Sequence, residues 1–150
     1  IGIPVQIGGI EKALQNESSP ETAIVAVGVE QLASVATQLL QAGTKRILLE
    51  KPGGMNSGEL KLLHEAQSKH SDLGSELNAE VWLAYNRRFY EATRKAREII
   101  LADGGATSVH FEFTEWSHKI RELEGKKDIK AVWFLANSTH VVDLAFHLCG

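Results

Sequence analysis

The chain has 150 residues, of which 43% are hydrophobic and 23% are charged, a composition typical of a soluble globular protein. A formal net charge of -3 argues against a general affinity for nucleic acid or for a membrane surface, so neither is expected as a partner. The single cysteine, Cys149, excludes an internal disulfide and fits a cytoplasmic location.

The first element is a short β-like run, Ile3 to Ile7, and residues 10–14 can form a helical turn. No initiator methionine precedes this run, and the chain ends two residues after the apolar pattern of a helix. We therefore expect the sequence to be a fragment of a longer protein.

A continuous apolar run, Ala23 to Val27, predicts a strand that is buried on both faces. A helix should follow, because apolar residues recur there at helical spacing. Its stripe consists of Leu32, Val35, Ala36, Leu39 and Leu40. Gly43 is suited to end this helix, and residues 46–49 then read as a second buried strand.

The stretch Pro52 to Gly54 breaks the chain, and Asn56 with Glu59 forms a capping box that predicts a helix start. Residues 81–85 form a third apolar run. Strands that alternate with helices predict a parallel sheet covered by helices. We interpret residues 1–86 as the later half of a doubly wound, Rossmann-like domain.

The pattern changes near Tyr85 to Phe89, where we place a domain boundary. A helix is expected from residue 89 to about residue 102. Residues 109–113 then alternate between apolar and polar, which predicts a strand buried on one face. A last helix should cover Ser138 to Leu148. Residues 87–150 therefore read as the start of an α+β domain.

Three motifs could support chemistry, and the first is Leu49-Glu50-Lys51-Pro52. Lys51 lies just past the carboxyl end of a predicted strand, where open α/β sheets bind ligands. Its ammonium group could donate a hydrogen bond to a hydroxyl or carbonyl and stabilise developing negative charge. The alternative is an ordinary surface lysine before a turn.

The second motif runs from Asn137 to Asp143. Asn137 is a suitable helix N-cap, which would place His140 in the first turn. The positive end of the helix favours a neutral imidazole, the form that a general base needs. The alternatives are a structural histidine, or a metal site formed by His140, Asp143 and His147 on one helix face.

The third motif is Tyr85-Asn86-Arg87-Arg88-Phe89, whose asparagine and arginines could bind ribose, phosphate or carboxylate groups. A solvated helix start is the alternative. Gly8 and Gly9 are too few for the glycine-rich dinucleotide fingerprint, which needs a strand before it and a helix after it.

In chain order, Leu49-Glu50-Lys51-Pro52, Tyr85-Asn86-Arg87-Arg88-Phe89 and His140-x-x-Asp143 resemble the motifs of the glucose-fructose oxidoreductase and inositol dehydrogenase family. Gln41-Ala42-Gly43, before the strand that leads to Lys51, also fits the family, and the resemblance covers nearly the whole chain. It implies NAD or NADP and a sugar, cyclitol or sugar-nucleotide substrate. It also implies that the second domain carries an open antiparallel sheet, through which a homo-oligomer would form.

The resemblance also implies residue roles. Lys51 would contact nicotinamide and substrate, and His140 would be the general base, so both are predicted as catalytic. The predicted cofactor-binding residues are Gly28, Glu50, Lys51, Pro52 and Asn86. The predicted substrate-binding residues are Arg87, Asn137 and Asp143, and no metal is expected.

Two positions depart from the family pattern. Gly28-Val29 stands where the family often has Thr-Pro. Ala136 stands where the family often has an aspartate, four residues before the catalytic histidine, and Asn137 could partly compensate by binding substrate. The missing carboxylate leaves a second hypothesis open, a non-catalytic relative that senses nucleotides or acts as a scaffold.

Overall fold

A computed structural model describes residues 2, 4–72, 79–122, 124 and 127–150. The chain forms two compact units, Ile1–Leu83 and Ala84–Gly150. The sequence-based division after residue 86 lies a few residues further along the chain. Each unit is described by itself below.

The first unit alternates helices and strands. Its elements are α1 (Gly9–Asn16), β1 (Thr22–Val25), α2 (Leu32–Gln41), β2 (Arg46–Leu49), α3 (Ser57–Asp72) and β3 (Glu80–Leu83). The strands are parallel in the order β1-β2-β3, and Leu49 of β2 pairs with Val25 on one side and Leu83 on the other. The predicted α/β alternation with a parallel sheet is therefore confirmed in this part of the chain.

The core of this unit lies between one face of the sheet and the helices. Ile47 and Leu49 of β2 are fully buried there, and they belong to one cluster with Leu39 and Leu40 of α2 and Leu63 of α3. Burial of these side chains is the main stabilising contribution available to such a small sheet.

The opposite face of the sheet is open in the described residues, so the prediction of strands buried on both faces is wrong. Val25 is only 2% exposed, whereas its neighbour Ile24 is 74% exposed, and Leu48 of β2 is 40% exposed. Successive side chains of a strand point to opposite faces, and no described helix covers the face that carries Ile24.

Two helix ends follow the sequence signals. Gly43, with φ of 103°, ends α2 in the left-handed conformation that glycine adopts without strain. At the start of α3, Asn56 Oδ1 accepts the Glu59 N–H at 3.0 Å, and Glu59 Oε2 accepts the Met55 N–H at 2.8 Å. The predicted helix start and the capping role of Asn56 are therefore confirmed, with the reciprocal bond of Glu59 going to Met55, one residue before the N-cap.

All the regular elements in the described part of the second unit are helical. After a 3₁₀ turn at Asn86–Phe89 it contains α4 (Glu91–Ala102), α5 (Ser117–Glu122), α6 (Lys127–Ala131), a π-helical turn (Phe134–Ser138) and α7 (Thr139–Cys149). Helices α4 and α7 pack together, and Arg97 Nε donates to the His147 carbonyl at 3.3 Å. No helix in the described ranges is long and apolar enough to cross a membrane.

Two predicted strands do not form. Residues 109–113 have no β partner, and Val109 and Phe111 are about half exposed, because no described segment supplies the hydrogen bonds of a second strand. Residues 4–7 also form no strand, while Ile3 lies outside the described residues. The open antiparallel sheet, and assembly through it, stay predictions.

The capping box gives a stability prediction. We expect Asn56→Ala to lower the free energy of unfolding by about 1 kcal/mol, because the Glu59 N–H loses its acceptor. Asn56→Ser keeps an acceptor oxygen and should remain close to the wild type. Urea unfolding followed by circular dichroism measures both variants, and equal losses in the two would contradict the capping role.

Candidate functional site

A tight turn follows the central strand β2 and holds Lys51. The Glu50 N–H donates to the Val25 carbonyl at 2.9 Å, which extends the pairing of β2 with β1 by one residue. The Gly53 N–H then donates to the Glu50 carbonyl at 3.1 Å. The Lys51–Pro52 peptide bond is cis, Pro52 is buried and Lys51 is half-buried. Lys51 therefore lies at the carboxyl end of the central parallel strand, the edge where such sheets bind ligands.

The backbone conformation at the end of this turn favours glycine. Gly53 has φ of 88°, and a Cβ at this position would lie 2.7 Å from Cδ2 of Leu83 in β3. A side chain at residue 53 would therefore be strained by its backbone and would press on the neighbouring strand. The turn is thus fixed against both strands that flank β2.

Gly28 lies at the same edge of the sheet as Lys51. It follows β1 by three residues, and its carbonyl accepts the Gln31 N–H at 2.8 Å. A Cβ on Gly28 would come within 2.8 Å of the Glu30 carboxylate. Since β1 and β2 are adjacent and parallel, two of the predicted cofactor-binding positions share one edge. The Glu50 side chain bonds within the turn after β2, because its Oε2 accepts the Lys51 N–H at 3.0 Å.

The second unit gathers the residues of the other two motifs around His140. The half-buried His140 ring meets Tyr85 edge-on, with centroids 5.9 Å apart and planes at 87°. The guanidinium of Arg88 lies 5.8 Å from the centre of the same Tyr85 ring, within the range of a cation–π contact. The structure therefore brings the predicted base together with the boundary motif.

Asp143 is held by Arg88 through a forked ion pair. Arg88 Nε donates to Asp143 Oδ2 at 2.8 Å, and the second bond joins Nη2 to Oδ1. The Asp143 side chain is only 11% exposed, and its hydrogen bond raises the pKa of Arg88. Because both carboxylate oxygens are engaged, the geometry favours an orienting role for Asp143 over direct substrate binding.

The sequence motif contains Arg88, but no individual site role was predicted for it. Arg87 was predicted instead, and it is half-buried, while Asn86 is exposed in the same 3₁₀ turn. Nothing in the two adjacent arginines shows which one faces α7, because the rotation of a short 3₁₀ turn depends on packing. The ion pair spans 55 positions of sequence, so no local pattern could have indicated it.

His140 does not occupy a free helix N-terminus, so that part of the prediction is wrong. The π-helical turn Phe134–Ser138 runs directly into α7, and Ser138 has helical backbone angles. Another helical turn therefore precedes the residues around His140. The argument that the positive end of a helix keeps the imidazole neutral does not apply. Tyr85 and the neighbouring Arg88–Asp143 pair define its surroundings instead.

Asn137 is not the predicted N-cap, because its side chain binds Glu115. Asn137 Nδ2 donates to Glu115 Oε1 at 3.1 Å, and the same oxygen accepts Ser138 Oγ–H at 2.6 Å. The other carboxylate oxygen accepts the indole N–H of Trp133. These bonds, that from Ser138 above all, hold the pKa of Glu115 below its usual range although burial acts in the opposite sense.

The proposed metal site finds no support. In the described part of the chain, no three His, Cys, Asp or Glu side chains form a group that could hold a metal ion. Within the trio considered, Asp143 is already bound to Arg88 through both oxygens.

The fold matches solved oxidoreductase structures. One is an oxidoreductase domain protein from Kribbella flavida, with a TM-score of 0.64 and 20% identity over 91% of this chain and 36% of that one. Another is a putative myo-inositol dehydrogenase from Sinorhizobium meliloti 1021, with a TM-score of 0.62 and 18% identity over 91% of this chain and 39% of that one. No protein-family model and no curated protein matches the sequence.

The comparison confirms the sequence-based resemblance at the level of the fold. The chain spans well under half the length of either protein, and at these identities the likeness concerns the backbone alone. Roles for individual residues therefore rest on the geometry described above.

The forked ion pair gives a second prediction. In a double-mutant cycle of Arg88→Gln and Asp143→Asn, we expect a coupling of about 1 kcal/mol in the free energy of unfolding. The matched cycle of Arg87→Gln with Asp143→Asn should give a coupling close to zero. Chemical denaturation measures both cycles. A coupling for Arg88 no larger than that for Arg87 would show that the pair does not stabilise the unit.

Proposed function

We propose that the chain is part of an NAD- or NADP-dependent oxidoreductase. It would transfer hydride between the cofactor and a hydroxyl-bearing carbon of a sugar, cyclitol or sugar nucleotide. The observation that carries the proposal is the placement of Lys51 at the carboxyl end of the central parallel strand. The similarity in fold to an oxidoreductase domain protein and a putative myo-inositol dehydrogenase supports it.

The residues at this edge fit the nicotinamide half of such a cofactor. Gly28 presents no side chain beside β1, and the turn after β2 offers one half-buried ammonium group, that of Lys51. Gly28, Glu50, Lys51, Pro52 and Asn86 would hold the cofactor, which when bound supplies the acceptor or donor of hydride. The ammonium of Lys51 can donate to a carboxamide or to a substrate oxygen.

In the oxidation direction, the carbon loses hydride while its hydroxyl loses a proton. His140 would accept that proton, leaving a carbonyl group on the substrate. Lys51 would donate a hydrogen bond to the reacting oxygen and stabilise its alkoxide character as the proton leaves. His140 would hold the proton that leaves the hydroxyl, and a bound nicotinamide cofactor would supply the acceptor for the hydride, so charge and electrons balance.

The neighbours of His140 have positioning roles in this proposal. The edge-to-face contact between the Tyr85 and His140 rings restricts the rotation of both side chains. Arg88 contacts the same tyrosine and is fixed in turn by Asp143. Such a chain of contacts can hold an imidazole in one orientation, which a general base requires. Arg87 and Asn137 would contact substrate.

A second candidate is a non-catalytic relative that binds the cofactor as a sensor or scaffold. The observation in its favour is Ala136, which lacks the carboxylate of the resembled family. Binding of NADH or NADPH without turnover of any polyol would favour this candidate. Turnover would exclude it.

The role of His140 predicts a large kinetic effect. In the complete gene product that contains this sequence, we expect His140→Ala to lower kcat by roughly 10² to 10⁴. His64→Ala, on the exposed side of α3, is the matched control and should retain wild-type turnover. The measurement is cofactor reduction with a panel of polyols. Wild-type turnover by His140→Ala would remove this residue from the mechanism.

The two ends of β2 offer a matched pair of lysines for a further prediction. Lys51→Met should weaken binding of NADH or NADPH and also lower kcat, because the ammonium would contact both cofactor and substrate. Lys45→Met changes an exposed lysine at the amino end of the same strand and should alter neither. Fluorescence titration and steady-state kinetics measure the effects. Equal behaviour of the two variants would place the cofactor elsewhere.

A further inference from the structure

A pocket in the second unit receives no ligand from the proposed function. It is lined by residues of the 3₁₀ turn Asn86–Phe89, of α4 and of α7, all within one compact unit. Its volume is about 510 Å³, which falls in the range of pockets that bind small molecules. The lining combines cationic with apolar side chains, so the charges and the apolar surface together indicate what would bind there.

Two of the arginines in this pocket have no acidic partner. The third, Arg88, is already bound through the forked ion pair described above. Among the described lining residues the one acid is Glu98, which is bound by Lys95 at 2.8 Å. In the part of the chain that the structure describes, no carboxylate forms an ion pair with Arg94 or Arg97. Their two positive charges therefore remain uncompensated.

The two arginines are placed to act together. Arg94 and Arg97 are three residues apart on α4, so they are neighbours on the helix surface, and their like charges repel each other. Arg97 is half-buried, and its Nε donates to the His147 carbonyl at 3.3 Å. That bond uses the inner nitrogen of the guanidinium and leaves the two terminal nitrogens to donate to a ligand. An anion bound by both arginines would relieve their repulsion.

The same pocket has an apolar surface. Phe89 is 77% exposed and Leu101 is 56% exposed, and both line the pocket together with His147. Apolar surface gains free energy when it is removed from water, and an aromatic ring of a ligand could pack on the ring of Phe89. The pocket thus offers a cationic part and an apolar part to one ligand.

We propose that this pocket binds a small phosphomonoester whose organic group is aromatic. A phosphate monoester carries about two negative charges at neutral pH, which match the two uncompensated arginines. Its oxygens can accept the parallel N–H groups of a guanidinium, the geometry that suits arginine to phosphate. The aromatic group would lie against Phe89 and Leu101. A sulfate ester of the same shape carries one charge less and would leave one arginine unmatched.

The ligand class is tested by isothermal titration calorimetry of the complete gene product. The ionic strength is kept constant, because salt screens such contacts. Phenyl phosphate should bind saturably, and at least about tenfold more tightly than either phenyl sulfate or inorganic phosphate. An affinity for phenyl phosphate no greater than that for one of these comparison ligands would overturn the proposal, as would the absence of saturable binding.

The place of binding is tested with variants of α4. Arg94→Gln and Arg97→Gln should each weaken binding of phenyl phosphate at least about tenfold, because a charge-assisted hydrogen bond is lost. Arg121→Gln removes an exposed guanidinium of α5, which is not part of the pocket, and should keep the wild-type affinity. Because Arg94 is exposed, Arg94→Gln should fold whether or not Arg97→Gln does. Wild-type affinity in Arg94→Gln, or an equal loss in Arg121→Gln, would contradict the assignment.

A competition experiment separates this pocket from the cofactor site, since NADPH also carries a phosphomonoester. Phenyl phosphate should bind with the same affinity in the presence and absence of saturating NADPH. Its displacement by NADPH but not by NADH would assign the phosphate to the cofactor and overturn the inference. The inference does not depend on the proposed function, so a protein that binds neither cofactor should still bind phenyl phosphate.

Discussion

The hydrogen-bonded pairing of β2 with a parallel strand on each side is the constraint on which the first unit depends. It aligns Leu49 with Val25 and Leu83, so the three strands end at one edge. Ile47 and Leu49, both fully buried, anchor β2 to the helices. The turn that contains Lys51 begins directly after this anchored residue, its backbone bonds to Val25 of β1, and its Gly53 lies close to the Leu83 side chain of β3. The position of the lysine is thus a consequence of sheet geometry and core packing.

The second unit is specified differently, because only Thr93 and Ser138 are buried among its described residues. Charge-assisted hydrogen bonds replace an apolar core at the points that matter for the site. Arg88 with Asp143 ties the boundary turn to α7, and Glu115 ties the extended segment to the start of that helix. Such bonds are strong and directional, which makes them suited to orient the side chains near His140.

Patterns that are local in sequence predicted structure well. The apolar spacing of α2, the end of that helix at Gly43 and the capping box at Asn56 each depend on residues within a few positions of one another. Lys51 could be placed at the end of a strand for the same reason. The sequence did not decide whether Lys51 takes part in chemistry, since a lysine before a turn is usually an ordinary surface residue.

Features that depend on distant partners were not predictable. The alternation of residues 109–113 has the period of a strand, but a strand also needs a neighbour to pair with. Asn137 has the right type for an N-cap, yet a carboxylate 22 residues away takes its amide, and a charged acceptor binds an N–H more strongly than a neutral one. The selection of Arg88 over Arg87 likewise depends on Asp143, 55 positions further on.

Transfer of an isotopic label tests the central claim most directly. The complete gene product would be incubated with NAD or NADP and polyols that carry deuterium on the carbon bearing the reacting hydroxyl. The account predicts one deuterium at the nicotinamide ring of the reduced cofactor and a carbonyl at the labelled carbon, with the transfer greatly slowed in His140→Ala. A protein that binds the cofactor but transfers no label from any polyol would contradict hydride transfer and leave the non-catalytic relative as the better account.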